Sequence, residues 1–196
     1  MAKIAVDIVL LPGEEVTNKA IEANRQLPDT DGAIALNKQD CLPHISLAMG
    51  CVDKEDIGQI ERILRDIAKN SRVGKLRVVG VYIGTNASGE KVSLYHVEKT
   101  EAIQSLHEKV TRSLSRYFSY DVSAEMVSAE GQVAESTLRW IENFATESSF
   151  EKFFPHITIG YGQAEALDFP IEFTPAGLAV CHLGNHCTCR KILVLI

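Results

Sequence analysis

Apolar and polar positions along this chain switch between the strand period and the helix period, and they predict an ordered series of elements. Residues 3–11 form a nearly continuous apolar run, with Asp7 the exception, as expected for a buried strand. Pro12-Gly13 turns the chain. Val16, Ala20, Ala23 and Leu27 then recur at helical spacing behind an acidic first turn, so a helix is predicted from Glu14 to Leu27. Pro28-Asp29-Thr30-Asp31-Gly32 reads as a loop, and a strand follows at about 42–51. Asp53 is placed to cap a helix whose stripe of Ile57, Ile60, Ile63, Leu64 and Ile67 runs to about residue 69. A strand at 75–85, the turn cluster Thr85-Asn86-Ala87-Ser88-Gly89 and a partner strand from Val92 to Val97 predict a hairpin. Thr100 caps a third helix carrying Ile103, Leu106, Val110 and Leu114. The stretch 119–133 has no clear period. A fourth helix over about 134–146 shows Leu138, Ile141, Phe144 and Ala145 on one side. Trp140 lies near that stripe and reads as a packing residue, the common use of a large aromatic in a helix. Ser148-Ser149 breaks the chain before a strand at about 154–161, and strands near 171–181 and 190–196 close it.

This order predicts an α+β fold. Each half holds strands and helices around one strand that begins with a histidine, so two lobes facing across a groove are expected.

Those two strands carry the chemistry. Leu42-Pro43-His44-Ile45-Ser46 returns as Phe154-Pro155-His156-Ile157-Thr158. Proline is tolerated at a strand's entry. Residues i and i+2 of a strand share a face, so His44 lies beside Ser46, and His156 beside Thr158. Two imidazoles suit phosphoester cleavage. A neutral ring takes a proton from the attacking oxygen, and a protonated ring gives one to the leaving oxygen. The ordinary histidine pKa near 6.5 makes both forms accessible. The hydroxyls are able to donate to phosphate oxygens as charge develops. A lone strand histidine generally just packs. A repeat of Pro, His, Ile and a hydroxyl in register weighs against that reading. Which histidine is acid and which is base stays open, because the two copies are near-equivalent.

Composition narrows the partners. The chain has 196 residues and a net charge of −6, which disfavours tracking along extended nucleic acid but leaves a nucleotide or an RNA end with one or two phosphates. Asp7 interrupts the N-terminal apolar run and no small-residue cleavage site follows, so a signal peptide is not expected; neither is a membrane span. Five cysteines, odd in number and sparse, fit reduced thiols in the cytoplasm.

With those motifs in view, the chain resembles the two-histidine phosphoesterase superfamily. That group holds the RNA 2′,5′-ligase-like proteins of bacteria and archaea and the plant cyclic nucleotide phosphodiesterases. The resemblance rests on Pro43-His44-Ile45-Ser46 and Pro155-His156-Ile157-Thr158 and extends over the whole chain. It implies a bilobal α+β fold with antiparallel-rich sheets, outer helices, a pseudo-twofold axis and a metal-free site in the central cleft. It implies hydrolysis of 2′,3′-cyclic or related phosphates, or action on 2′–5′ links. His44 and His156 would be the acid–base pair, and Ser46 and Thr158 the phosphate donors. Tyr161, five residues after the second histidine, either helps hold substrate or is simply a strand-end tyrosine. The expected partner is a small nucleotide or an RNA 3′ end bearing a cyclic phosphate, met by a monomer. The histidines stand 112 residues apart, somewhat long for the family, and the excess falls in 119–150, a lid or insertion.

Other groupings are weaker. Cys181, His182, His186, Cys187 and Cys189 are of the types that bind zinc, yet no Cys-x-x-Cys pair exists; Cys187 and Cys189 in one strand would instead be small buried residues on one face. Cys41 beside His44 is a weak nucleophile candidate. His96, Glu98 and His107 read as solvated or capping side chains, and Arg190 and Lys191 as surface charges. No Gly-rich phosphate loop or cofactor motif is visible, so no cofactor and no metal are expected. A nucleotide-binding module with little turnover is the leading alternative, and a zinc-bearing structural protein the next.

Overall fold

The apolar run at the N-terminus forms β1 (Lys3–Leu11), an inner strand of a four-stranded antiparallel sheet. This is a computed structural model, and it describes residues 2–28, 34–85, 89–165 and 167–196. The partners of β1 are β2 (Ile45–Asp53) and β7 (Gly177–Leu183), with β8 (Cys189–Leu195) at the edge. A second antiparallel sheet has the order β5-β4-β3-β6, from β3 (Leu76–Thr85), β4 (Lys91–Val97), β5 (His156–Tyr161) and β6 (Ile171–Phe173). Among the described residues, four α-helices accompany them: α1 (Glu14–Arg25), α2 (Ile57–Asn70), α3 (Glu101–Leu114) and α4 (Glu135–Glu147). The fold is α+β and bilobal, one sheet to each lobe, with a histidine strand in each.

The run read as one strand at 171–181 is two. Thr174-Pro175-Ala176 breaks it, so β6 completes the second sheet and β7 crosses to the first. The C-terminal strands therefore belong to the N-terminal lobe. Asp53 does not cap α2 with its side chain; a short 3-10 turn at Lys54–Asp56 comes first. Thr100 does cap α3, accepting from Ile103 N–H. The loop expected at Pro28–Gly32 and the turn at Thr85–Gly89 lie mostly outside the described residues.

Period-2 alternation sets what each sheet buries. Ile4, Val6, Ile8 and Leu10 of β1 join a core with Val16, Ala20, Ile45, Leu47, Ile60, Leu64, Ile103, Leu106, Ile157 and Ile159, drawn from both sheets and from α1, α2 and α3. Burying each such aliphatic side chain contributes about 1.5–3 kcal/mol, so slipping either sheet by one residue is prohibitive. The other face of the first sheet packs on α4: Ala5, Met49 and Cys51 meet Ile141 and Phe144. Among the described residues, no helix is long and apolar enough to cross a membrane.

The thiols depart from expectation. Cys181 and Cys189 are joined by a disulfide, because the β7–β8 hairpin brings their Cα atoms to 5.5 Å, within bridging range. Cys187 lies in the connecting turn, half-buried, and shares no strand face with Cys189. Two of the cluster's cysteines are committed to that bond and are not free to act as thiolate ligands. Among the described residues no three His, Cys, Asp or Glu side chains are placed to hold a metal ion.

Candidate active site

Both histidine strands carry the same irregularity. In β2, Val9 pairs with Ser46 and Ile8 with Ala48, so Leu47 is an extra, bulged residue. In β5, Leu94 pairs with Thr158 and Ser93 with Gly160, so Ile159 is the extra residue. Each bulge falls three residues after its histidine. A bulge re-aims the side chains that follow it. Here it returns position five to the face of positions zero and two, so His44, Ser46 and Met49 line the same cavity as His156, Thr158 and Tyr161. The cavity is about 550 Å³, within the range of small-ligand sites.

A bulge leaves backbone groups outside the ladder, and a helix side chain serves each one. Leu47 O accepts from His107 Nδ1 of α3 at 2.6 Å, and Ile159 O accepts from Asn24 Nδ2 of α1 at 2.7 Å. A helix that follows a strand of one sheet thus secures the histidine strand of the other, α1 after β1 holding β5 and α3 after β4 holding β2. His107 is fully buried and satisfied at both ring nitrogens, since Phe150 N–H donates to its Nε2 at 2.7 Å. It is neither solvated nor a cap. Asn24 also takes Ile34 O at 2.6 Å and Leu36 N–H at 2.9 Å. Gly160 follows the second bulge at φ 150°, and a Cβ there would stand 2.8 Å from Asn24 Nδ2, so glycine is required.

The histidine rings are held alike. His44 Nδ1 lies 2.7 Å from Leu42 O, and His156 Nδ1 lies 2.7 Å from Phe154 O. A carbonyl only accepts, so both rings carry their neutral-state proton on Nδ1 and present Nε2 as a lone pair. Burial lowers the pKa of both. His44 falls to about 4, chiefly from burial, with its hydrogen bond to Leu42 opposing and the charge of His156 adding. His156 falls mainly from burial, and His96 lowers it further. His44 lies one residue before β2 rather than inside it, and Pro43 and Pro155 precede the two histidines as the motif implies.

The hydroxyls differ. Ser46 Oγ donates to Asp7 Oδ2 at 2.5 Å, so its proton is directed at that carboxyl. The Thr158 hydroxyl has no hydrogen-bond partner among the described residues and lies on the cavity wall. Tyr161 Oη is 2.8 Å from His186 Nδ1, in the β7–β8 turn.

Four residues at the site have roles that the sequence does not announce. Asp7 is 0% exposed behind His44 and Ser46, with Oδ2 3.6 Å from His44 Nε2. The signal was present: a charge inside an apolar strand is rarely buried without a task. Trp140 is not a core residue but 50% exposed on the cavity rim. Tyr82 and Phe154, edge-to-face at 5.6 Å, stand at the same cavity, and Phe154 stacks on His96 at 4.7 Å. The segment 119–150 supplies one wall through Ser136, Thr137, Trp140, Phe144 and Glu147 of α4. Lys152, the one Lys or Arg among the described lining residues, is paired with Glu147 at 3.0 Å.

No family model matches this chain, and no curated protein does. Among solved structures it is similar to the crystal structure of TT0787 of Thermus thermophilus, with a TM-score of 0.63 at 16% identity, over 98% of this chain and 97% of that one. That likeness carries the fold across the full length of both chains.

Proposed function

We propose that this protein is a phosphodiesterase that hydrolyses a cyclic phosphate, 2′,3′-cyclic or related, on a nucleotide or an RNA end, through His44 and His156. The observation that carries this reading is the pair of rings on one cavity, each with Nδ1 committed to a backbone carbonyl and Nε2 left for chemistry. One Nε2 takes the proton of the attacking water as its oxygen bonds to phosphorus. The other, protonated, gives a proton to the ribose oxygen as the P–O bond breaks. Thr158 donates to a phosphate oxygen, and Ser46 joins it only by releasing Asp7. Each histidine contributes about 10²–10⁴-fold. The two-histidine phosphoesterase resemblance of the paired motifs supports the same assignment.

The wall chemistry favours a small ligand over a long chain. The lining is largely apolar and aromatic, and its lysine is already paired. Such a site takes one phosphate and a stacked base, not a run of phosphates, which needs many cationic contacts. The test is a panel of 2′,3′-cyclic nucleotides, cyclic-phosphate oligonucleotides and 2′–5′ dinucleotides, with products identified and chelator present. Hydrolysis of a cyclic mononucleotide in chelator is expected. Tight binding without turnover would make this a binding module instead.

A further inference from the structure

The two halves of the site are not equivalent, and the difference lies in what stands behind each histidine. Asp7 pairs across β1–β2 with Met49, five residues after His44. The pseudo-symmetric position pairs across β4–β5 with Tyr161, five residues after His156, and is Val92. The first histidine therefore has a buried carboxyl at 3.6 Å, and the second has a valine. The second has instead a cross-strand neighbour that is itself an imidazole, His96. A neighbouring carboxylate favours the protonated ring, and a neighbouring imidazolium disfavours it.

Building on the phosphodiesterase reading, we propose that Asp7 and His44 share one proton, making His44 the acid and His156 the base. Before an anion enters, the proton sits on the Asp7 carboxyl, where Ser46 donates to Oδ2 and Oδ1 has no hydrogen-bond partner among the described residues. A buried carboxylate without a cation is costly, so burial raises this group well above the ordinary carboxylate range. When a phosphodiester anion arrives, the proton passes to His44 Nε2, between the Asp7 carboxylate and the phosphate. His156 Nε2 then removes a proton from water as the new P–O bond forms. The old P–O bond breaks, and its oxygen takes the proton from His44. His156 returns its proton to solvent, and Asp7 regains one. Asp7 acts through His44 and is a positioning residue.

Apart from His156, whose charge acts on His44, the ionisable groups nearby are bonded, paired or held as a thiol. The β7–β8 turn contributes Cys187, which burial and Asp7 both keep as a thiol. On β7, Cys181 is the cross-strand partner of Asp7 and is bound in the disulfide. Farther along the wall, Glu147 pairs with Lys152, and His186 with Tyr161.

Two measurements on Asp7→Asn decide the matter. With a 2′,3′-cyclic nucleotide, kcat falls about tenfold or more. With a nucleotide p-nitrophenyl ester, whose leaving group needs no proton, Asp7→Asn and His44→Ala both recover toward wild type while His156→Ala does not. Ring titrations by NMR, in saturating inorganic phosphate, are independent of turnover. Wild-type His44 titrates above His156, and Asp7→Asn lowers His44 by about a pH unit or more while leaving His156 in place. Unchanged titrations, or His156 above His44, overturn the proposal. Absent turnover of every substrate by wild type overturns the phosphodiesterase reading alone, and the titrations still judge Asp7. If Asp7→Asn does not fold, the infrared band of a buried protonated carboxyl in the wild type is followed: loss on adding phosphate supports the transfer, and persistence overturns it.

Discussion

His44 and His156 make the same hydrogen bond, Nδ1 to the carbonyl oxygen two residues earlier, at the same 2.7 Å. The equivalence runs deeper than the motif. Each ring is followed by a bulge at position three, each bulge carbonyl is taken by a helix side chain, and position five returns to the cavity in both halves. A folding unit used twice explains why Pro-His-Ile-hydroxyl recurs. The halves part company at what lies behind the rings, Asp7 on one side and Val92 with His96 on the other, and at the hydroxyls, since Ser46 is bonded to Asp7.

Removing Asn24 tests the bulge support. Asn24→Ala strands Ile159 O and Ile34 O without their donor, at a cost of about 1–3 kcal/mol for each group left buried and unpaired. Denaturant midpoints are expected to drop, and kcat to drop with them, since His156 and Thr158 lie on the strand Asn24 secures.

Acid is expected to weaken the fold through three histidines that the fold holds neutral. The pKa values of His44, His156 and His107 all lie below the ordinary value in the folded protein, His44 at about 4, so the unfolded chain binds protons first. Their contribution is complete above about pH 6.5 and is lost as pH falls below it, for His44 through about 4. For His107 the cause is concrete: a second proton on Nε2 expels Phe150 N–H. Equilibrium unfolding followed from pH 7 to 4 measures this, and His107→Gln is expected to flatten the curve.

The pattern of apolar positions made most of the strands and helices legible, because period and burial agree in them. Lys3–Leu11 and the stripe from Ile57 to Ile67 are the clearest cases. What stayed hidden depends on pairing across the chain. Nothing local says that 171–181 divides between two sheets, or that Cys181 and Cys189 meet across a hairpin. Trp140 looked like core because helical spacing gives a face but not what the face meets. His44, Ser46, His156 and Thr158 were named from the repeat, and all four line one cavity; Asp7 was seen only as a flaw in an apolar strand.

The exposed aromatics predict a base-binding rim. Stacking on an aromatic side chain is worth about 1–3 kcal/mol per base, so Trp140→Ala or Phe154→Ala is expected to raise KM for a cyclic nucleotide by roughly 5- to 150-fold. A ribose cyclic phosphate with no base is expected to show little change in the same variants. Steady-state kinetics on the two substrates separates stacking from general damage.

The Cys181–Cys189 disulfide closes a short loop, and a chain-entropy estimate puts its contribution at about 2–3 kcal/mol. Reductant is expected to lower the melting temperature of the wild type. The paired variant Cys181→Ala, Cys189→Ala is expected to melt low already and to ignore reductant.

The central claim is that two histidines from opposite lobes act on one phosphate. The most direct measurement is kcat/KM on a 2′,3′-cyclic nucleotide for wild type, His44→Ala, His156→Ala and the double variant, with circular dichroism to check the fold. Each single variant is expected to lose about 10²-fold or more, and the double variant little beyond the worse single. Wild-type activity in either folded single variant contradicts the account.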